Sequence, residues 1–177
     1  MFLPLSLLAV NHGVNNLSMA PPTRPEWEIT PTDDVAAGSV TVRFTGSTTL
    51  LFDDGETSWM TDGWFSRPTF IEIITEHVEP DLAAIGRGLK ANEVDKLDAV
   101  IPLHSHYDHA MDAPEVARRT GATLYGSEST ANIARGWGLE EGRIEVFTNK
   151  KPIALGDFII TPIESNHFQF VDPEIAK

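Results

Sequence analysis

Cysteine is absent from the 177-residue chain. Its absence excludes disulfides, thiolate metal sites and a cysteine nucleophile, so any bound metal must be held by imidazole nitrogen and carboxylate oxygen. Basic residues are scarce: 13 Lys and Arg stand against 26 Asp and Glu, a net charge of −13. A surface that negative repels phosphate backbones and anionic lipid, which argues against nucleic acid and membrane surfaces as partners and leaves a small-molecule substrate. The charge reads most simply as a hydrated, soluble surface, and alternatively as a field that attracts cations. Long apolar runs are also lacking. Residues 2–10 (FLPLSLLAV) are too few to span a bilayer. They resemble the apolar region of a signal peptide, with the small Ser18 and Ala20 at plausible cleavage offsets. Against export, no Lys or Arg precedes the run, Pro4 interrupts it and Pro21 follows. A non-exported, cytoplasmic chain is the preferred reading, with periplasmic or secreted placement the alternative.

What is present suffices for one folded domain. The hydrophobic share is 41% and there are four tryptophans, enough to bury a core at this length. Residues 1–38 read as an extension or linker, rich in Pro, Thr and Asp over 20–38. The folded part is expected over 39–177 and is α/β. Val40, Val42 and Phe44 alternate with polar neighbours, Gly46-Ser47 makes a turn, and residues 49–53 run back as a second strand. Asp53-Asp54-Gly55 is a hairpin signal that leads into a third strand over 57–61. Pro68 and Pro80 bracket a short helix over 70–77, and a second helix is expected to start near Ala91-Asn92-Glu93 with Asn92 as its cap. Residues 97–103 (LDAVIPL) form a nearly continuous apolar run, as a strand buried on both faces requires. Beyond it, Asp112 is expected to cap a helix ended by Gly121, residues 122–125 form a strand, and Ser127 opens another helix. Strands follow over 143–148, 152–155 and 158–163, the last two joined by Gly156-Asp157.

Three of the six histidines fall within residues 104–109, His104-Ser105-His106-Tyr107-Asp108-His109, directly after the buried strand. Ligand sites of open α/β sheets lie at that carboxyl end. In extended backbone, residues two apart project to the same side, so His104 and His106 can share one cation. The turn that follows re-aims Asp108 and His109. Bland readings exist: a solvated histidine loop, or Asp108 as a plain helix cap. Three histidines and an aspartate at this spacing favour metal binding.

The segment over 100–110 resembles the signature of the metallo-β-lactamase superfamily, and the resemblance extends over residues 40–170. The patterns around Gly46-Ser47-Thr48 and Asp62-Gly63-Trp64-Phe65 are similar to its lactonase-like and phospholipase D-like branch. The resemblance implies the N-terminal half of an αββα sandwich: a mixed sheet with helices on one side, the C-terminal half missing. It implies His104, His106 and His167 around a first Zn2+, with Asp108 and His109 as ligands of a second, incomplete site. Asp62 is the implied supporting carboxylate, or an ordinary strand-end turn residue. The implied function is a zinc-dependent hydrolase that uses metal-bound hydroxide on an ester, lactone, amide or phosphodiester, with Asp108 also orienting the nucleophile. A family bridging aspartate and last histidine would come from a second half, so activity is expected only in a longer parent or with a complementing chain or oligomer covering the open sheet face. The alternative is a non-catalytic metal-binding or interaction fragment. His12 and His77 are read as surface histidines.

Overall fold

Alternating apolar and polar residues build the first hairpin, and the pattern locates it well. The computed structural model describes residues 38–165. The signal-like run, the linker, His12 and His167 lie outside the described residues. Strand β1 (Thr41–Gly46) pairs antiparallel with β2 (Thr49–Asp53), which pairs antiparallel with β3 (Ser58–Thr61). The β2–β3 turn is closed by its own aspartates. Asp53 Oδ1 accepts from the Gly55 N–H at 2.7 Å, and Asp54 Oδ1 accepts from the N–H groups of Glu56 and Thr57 at 3.0 and 2.7 Å. Side chains that replace backbone partners in this way are why Asp-Asp-Gly marks a turn.

From β3 onward the pairing becomes parallel. The sheet continues with β4 (Ala99–Ile101), β5 (Thr123–Gly126) and β6 (Ile144–Val146), six strands in sequence order. Among the described residues five α-helices connect or follow them: α1 (Phe70–Thr75), α2 (Leu82–Ala91), α3 (Tyr107–Ala110), α4 (Ala113–Thr120) and α5 (Glu128–Trp137). A separate hairpin of β7 (Ile153–Leu155) and β8 (Phe158–Ile160) ends the described chain. Among the described residues no helix is long and apolar enough to cross a membrane.

Register explains the core. Leu51, Met60, Val100, Leu124 and Ile144 are successive cross-strand partners, and all five are buried. They form one row across the sheet, covered by Ile85 and Leu89 of α2, Val116 and Ala117 of α4, and Ala131 and Ala134 of α5. Burying each large aliphatic side chain contributes about 1.5–3 kcal/mol, so this row carries much of the stability. The opposite face carries Val42, Phe52 and Trp59, again cross-strand partners. Phe52 stacks on Trp59 at 4.2 Å, and Phe158 of the β7–β8 hairpin meets Trp59 edge-on at 5.9 Å. Further out on that face, Val42 and Phe44 are 53% and 66% exposed.

Two helix starts differ from expectation. Helix α2 begins well before the Asn92 cap implied, because Asp81 caps it: its Oδ1 accepts from the N–H groups of Ala83 and Ala84 at 2.8 and 2.9 Å. Asn92 instead closes that helix, its Nδ2 donating to the Gly88 carbonyl at 2.8 Å, and Glu93 leaves with φ +58°. The signal for the true start is Pro80-Asp81 followed by apolar residues at 82, 85 and 89. At the start of α4, Asp112 occupies the cap position but makes no side-chain cap bond. Its carboxylate is engaged elsewhere. Gly121 does end α4, in the left-handed conformation (φ +80°) that glycine adopts without a Cβ clash.

The sheet also sets two chain exits next to each other. Strands β3 and β4 are parallel neighbours with Thr61 opposite Ile101, so the residues that follow them, Asp62 and Pro102, leave the sheet side by side.

Candidate metal centre

Pro102 lacks an N–H, and the chain leaves the sheet just after β4 at this residue. The following residues stay non-helical as far as His106, which takes an extended conformation (φ −67°, ψ 155°) at the N-cap of the single-turn helix α3. The turn is fixed by the His106 carbonyl, which accepts from the N–H groups of His109 and Ala110 at 3.1 and 2.8 Å. Three imidazoles are thereby folded onto one another. The ring centroids of His104 and His106 are 4.5 Å apart, and those of His104 and His109 are 3.9 Å apart. One donor atom each from His104, His106 and Asp108 all lie within 4.8 Å of one another. Donors sharing a tetrahedral zinc stand about 3.4 Å apart, so the spacing of this set is compatible with metal binding. The donors are nitrogen and carboxylate oxygen, as a chain without cysteine requires, and the arrangement fits a divalent metal.

His109 belongs to the same cluster and is oriented from behind. It is buried, and its Nδ1 lies 2.9 Å from Oδ2 of Asp62. An ionised carboxylate can only accept, so Nδ1 is the donor of this bond and Nε2 is the ring nitrogen left to face the site. That Nε2 faces Oδ2 of Asp108 at 3.7 Å. A carboxylate behind a histidine in this way fixes the tautomer and ring orientation of a metal ligand. The other oxygen of Asp62 accepts from the Leu103 N–H at 2.8 Å, at the root of the histidine segment. Asp62 is fully buried with φ +54°, and Gly63 follows at φ +77°. Aspartate tolerates the left-handed region better than most residues. Gly63 is further restricted by Val116, whose Cγ2 would stand 3.3 Å from a Cβ at that position.

A second tier of polar residues holds this turn. Thr48 Oγ1 lies 3.4 Å from Nδ1 of His109. Thr61 Oγ1 donates to the Thr48 carbonyl at 2.9 Å and accepts from the Leu50 N–H at 2.8 Å, while Thr49 Oγ1 accepts from the Trp64 N–H at 3.0 Å. Asp112, expected as a helix cap, instead accepts from the N–H groups of Phe65 and Ser66 at 2.7 and 2.6 Å and from the Ser66 hydroxyl at 2.6 Å. Burial pushes the Asp112 carboxyl above its ordinary pKa, although these three donors pull the other way. The partners of Asp112 are 46 and 47 residues distant, which is why the sequence around it announces only a cap.

The structure therefore brings His104, His106, Asp108 and His109 together, with Asp62 behind His109. A donor atom of Asp108 lies within 4.8 Å of those of His104 and His106. His167 lies outside the described residues. His77 is at the surface, its Nε2 3.6 Å from Glu79 Oε1.

Known proteins share parts of this chain. It is 37% identical over 81 residues to a UPF0173 metal-dependent hydrolase of Methanopyrus kandleri, a match that covers 44% of this chain and 35% of the relative. Among solved structures it is similar to Igni18, a metallo hydrolase from Ignicoccus hospitalis KIN4/I (22% identity, TM-score 0.46, 67% of this chain and 43% of that one). It is also similar to MEM-A1, a subclass B3 metallo-β-lactamase from a soil metagenome library (16% identity, TM-score 0.46, 64% of this chain and 44% of that one). The chain thus spans between about a third and a half of the length of these relatives. The family model of the beta-lactamase superfamily domain matches residues 71–174, more than half of the chain and all of the histidine segment, and the chain belongs to the metallo-β-lactamase superfamily.

Proposed function

We propose that this chain provides the metal centre of a zinc-dependent hydrolase acting on a small ester, lactone, amide or phosphodiester. The observation that carries the reading is the convergence of His104, His106 and Asp108 within 4.8 Å at the end of a parallel strand. His104, His106, Asp108 and His109 would hold the metal, with His167 as a further candidate ligand. A bound zinc polarises a carbonyl or phosphoryl oxygen and lowers the pKa of water towards neutrality. The residues themselves supply orientation and proton handling. Asp62 takes the Nδ1–H of His109, which turns Nε2 of that ring towards the site. Asp108, part-exposed beside these rings, has a carboxylate oxygen able to accept a proton from an attacking nucleophile. Leu103 and Tyr107 are exposed next to the histidines and give the substrate an apolar surface. The net charge of −13 selects against polyanions.

The test uses the full chain stripped of metal, then reloaded with zinc and offered uncharged esters, lactones, amides and phosphodiesters. Turnover that disappears with chelator and returns with zinc supports the proposal. Tight zinc without turnover of any of these would instead favour a metal-binding module. Asp62→Asn provides an internal check: an amide cannot replace both acceptor oxygens of the carboxylate. Zinc affinity is expected to fall by about 10–100-fold, the usual effect of losing a carboxylate behind a histidine ligand. Calorimetric titration measures it, and an unchanged affinity would remove Asp62 from the site.

A further inference from the structure

We propose that Asp112 and Ser66 form a clasp that positions the metal centre, acting through the loop that carries Asp62; this rests on the metal-binding reading above. The loop over residues 62–66 is tied at one end to the histidine segment and at the other to Asp112, at the start of α4. At the first end, Asp62 takes the Leu103 N–H on one oxygen and His109 Nδ1 on the other. At the second, Asp112 takes the N–H groups of Phe65 and Ser66 and the Ser66 hydroxyl. Asp112 lies only three residues beyond His109, across the junction of α3 and α4. The two carboxylates and the two chain segments thus close a ring, with His109 inside it.

Both carboxylates are fully buried, so neither can exchange these partners for water without opening the structure. Between the two ties the loop offers little freedom. Asp62 and Gly63 are both left-handed, and the Trp64 ring meets the Tyr107 ring edge-on at 6.2 Å, a contact with the histidine segment itself. Ser66 passes the connection on, because its Oγ also accepts from the N–H of Asp81 at 2.7 Å, the residue that caps α2. Opening the clasp frees residues 65–66 and, through the short loop, lets Asp62 shift away from His109. Asp112 acts on the centre through Phe65 and Ser66, so it is a positioning residue.

The experiment compares the full chain with Asp112→Ala, Asp112→Asn and Ser66→Ala, using Co2+ as a spectroscopic replacement for zinc. Three quantities are read: Co2+ affinity, the visible absorption of bound Co2+, and the melting temperature of the metal-free protein. Asp112→Ala is expected to weaken binding by about tenfold or more, as losses in the outer shell of a metal site do, and to change the Co2+ spectrum. Asp112→Asn is expected to restore both. Its amide oxygen can take the two backbone N–H groups while its Nδ2 donates to Ser66 Oγ. Ser66→Ala, a smaller change, is expected to move affinity and spectrum in the same direction and decides the matter if Asp112→Ala fails to fold. A lower melting temperature with unaltered affinity and spectrum in the folded variants would overturn the inference, leaving Asp112 and Ser66 with packing roles only. If the parent chain binds no Co2+ or zinc, the metal-binding reading fails first, and the clasp fails with it.

Discussion

Replacing His106 by alanine is expected to lower the zinc affinity of the chain by about a hundredfold or more while leaving the fold intact. His106 is exposed, and its ring is one of three groups whose donor atoms lie within 4.8 Å of one another. Binding free energies of about 10–16 kcal/mol for four-ligand zinc sites correspond to about 3 kcal/mol per ligand, which is about two powers of ten in affinity. An exposed side chain contributes little buried area, so the metal-free melting temperature should hardly change. His109→Ala should behave differently. That ring is buried against Asp62, and its loss leaves a buried carboxylate oxygen without its donor, which costs about 1–3 kcal/mol of stability before any metal is added. His77→Ala serves as control, since that residue is on the surface with only a long contact to Glu79. Calorimetric zinc titration beside thermal melting of the metal-free variants separates the three. Full affinity in His106→Ala would mean that the metal sits elsewhere or that the histidine segment is not its site.

The residues behind these expectations differ in how far they can be read from the chain alone. The histidine segment is legible because its chemistry is local. His104, His106, Asp108 and His109 sit within six residues, and the apolar run before them marks the strand that delivers them. The strands are legible for the same reason: the alternation through Val40, Val42 and Phe44 and the turn at Asp53-Asp54-Gly55 are short-range patterns. Helix α5, opened by Ser127 with its Oγ taking the Thr130 N–H, is another such case. Side chains with two competing uses escape this kind of reading. Asp81 and Asn92 are both good caps, and only the burial of Ile85 and Leu89 decides that the helix lies between them. Asp112 looks like a cap in front of Ala113-Pro114-Glu115, yet its carboxylate reaches a loop far back in the chain. Thr61 reads as an ordinary strand threonine until the pairing of β1, β2 and β3 brings it, with Thr48 of the β1–β2 turn, next to the turn at Asp62.

The pH dependence of stability should be governed in part by Glu115, a residue on α4 remote from any role in metal binding. Its side chain is fully buried, and burial by itself would push the carboxyl pKa upward. The donors around it outweigh that. Arg118 Nε and Nη2 each lie 2.8 Å from its oxygens, Arg119 Nε 2.7 Å and Trp137 Nε1 3.0 Å, and together they hold its pKa at about 2. A carboxyl whose folded pKa is depressed contributes stability that is fully present above its unfolded value, about 4.3. That contribution is lost as the pH falls from there towards 2. The gap between the two values, at about 1.4 kcal/mol for each pH unit, sets an upper bound of about 3 kcal/mol. The real figure is somewhat lower, because Arg118 is 57% exposed and shares its charge with water. Glu115→Gln keeps the shape but leaves the two guanidinium groups without a counter-charge and is expected to cost about 2–3 kcal/mol at pH 7. Urea unfolding of the metal-free proteins from about pH 7 to about pH 2 tests both parts. The two stability curves should lie apart at neutral pH and converge below about pH 4, because protonation removes from the parent what the substitution has already removed from the variant. Curves that stay parallel over the whole acid range would show that Glu115 is not held in its ionised form by Arg118, Arg119 and Trp137.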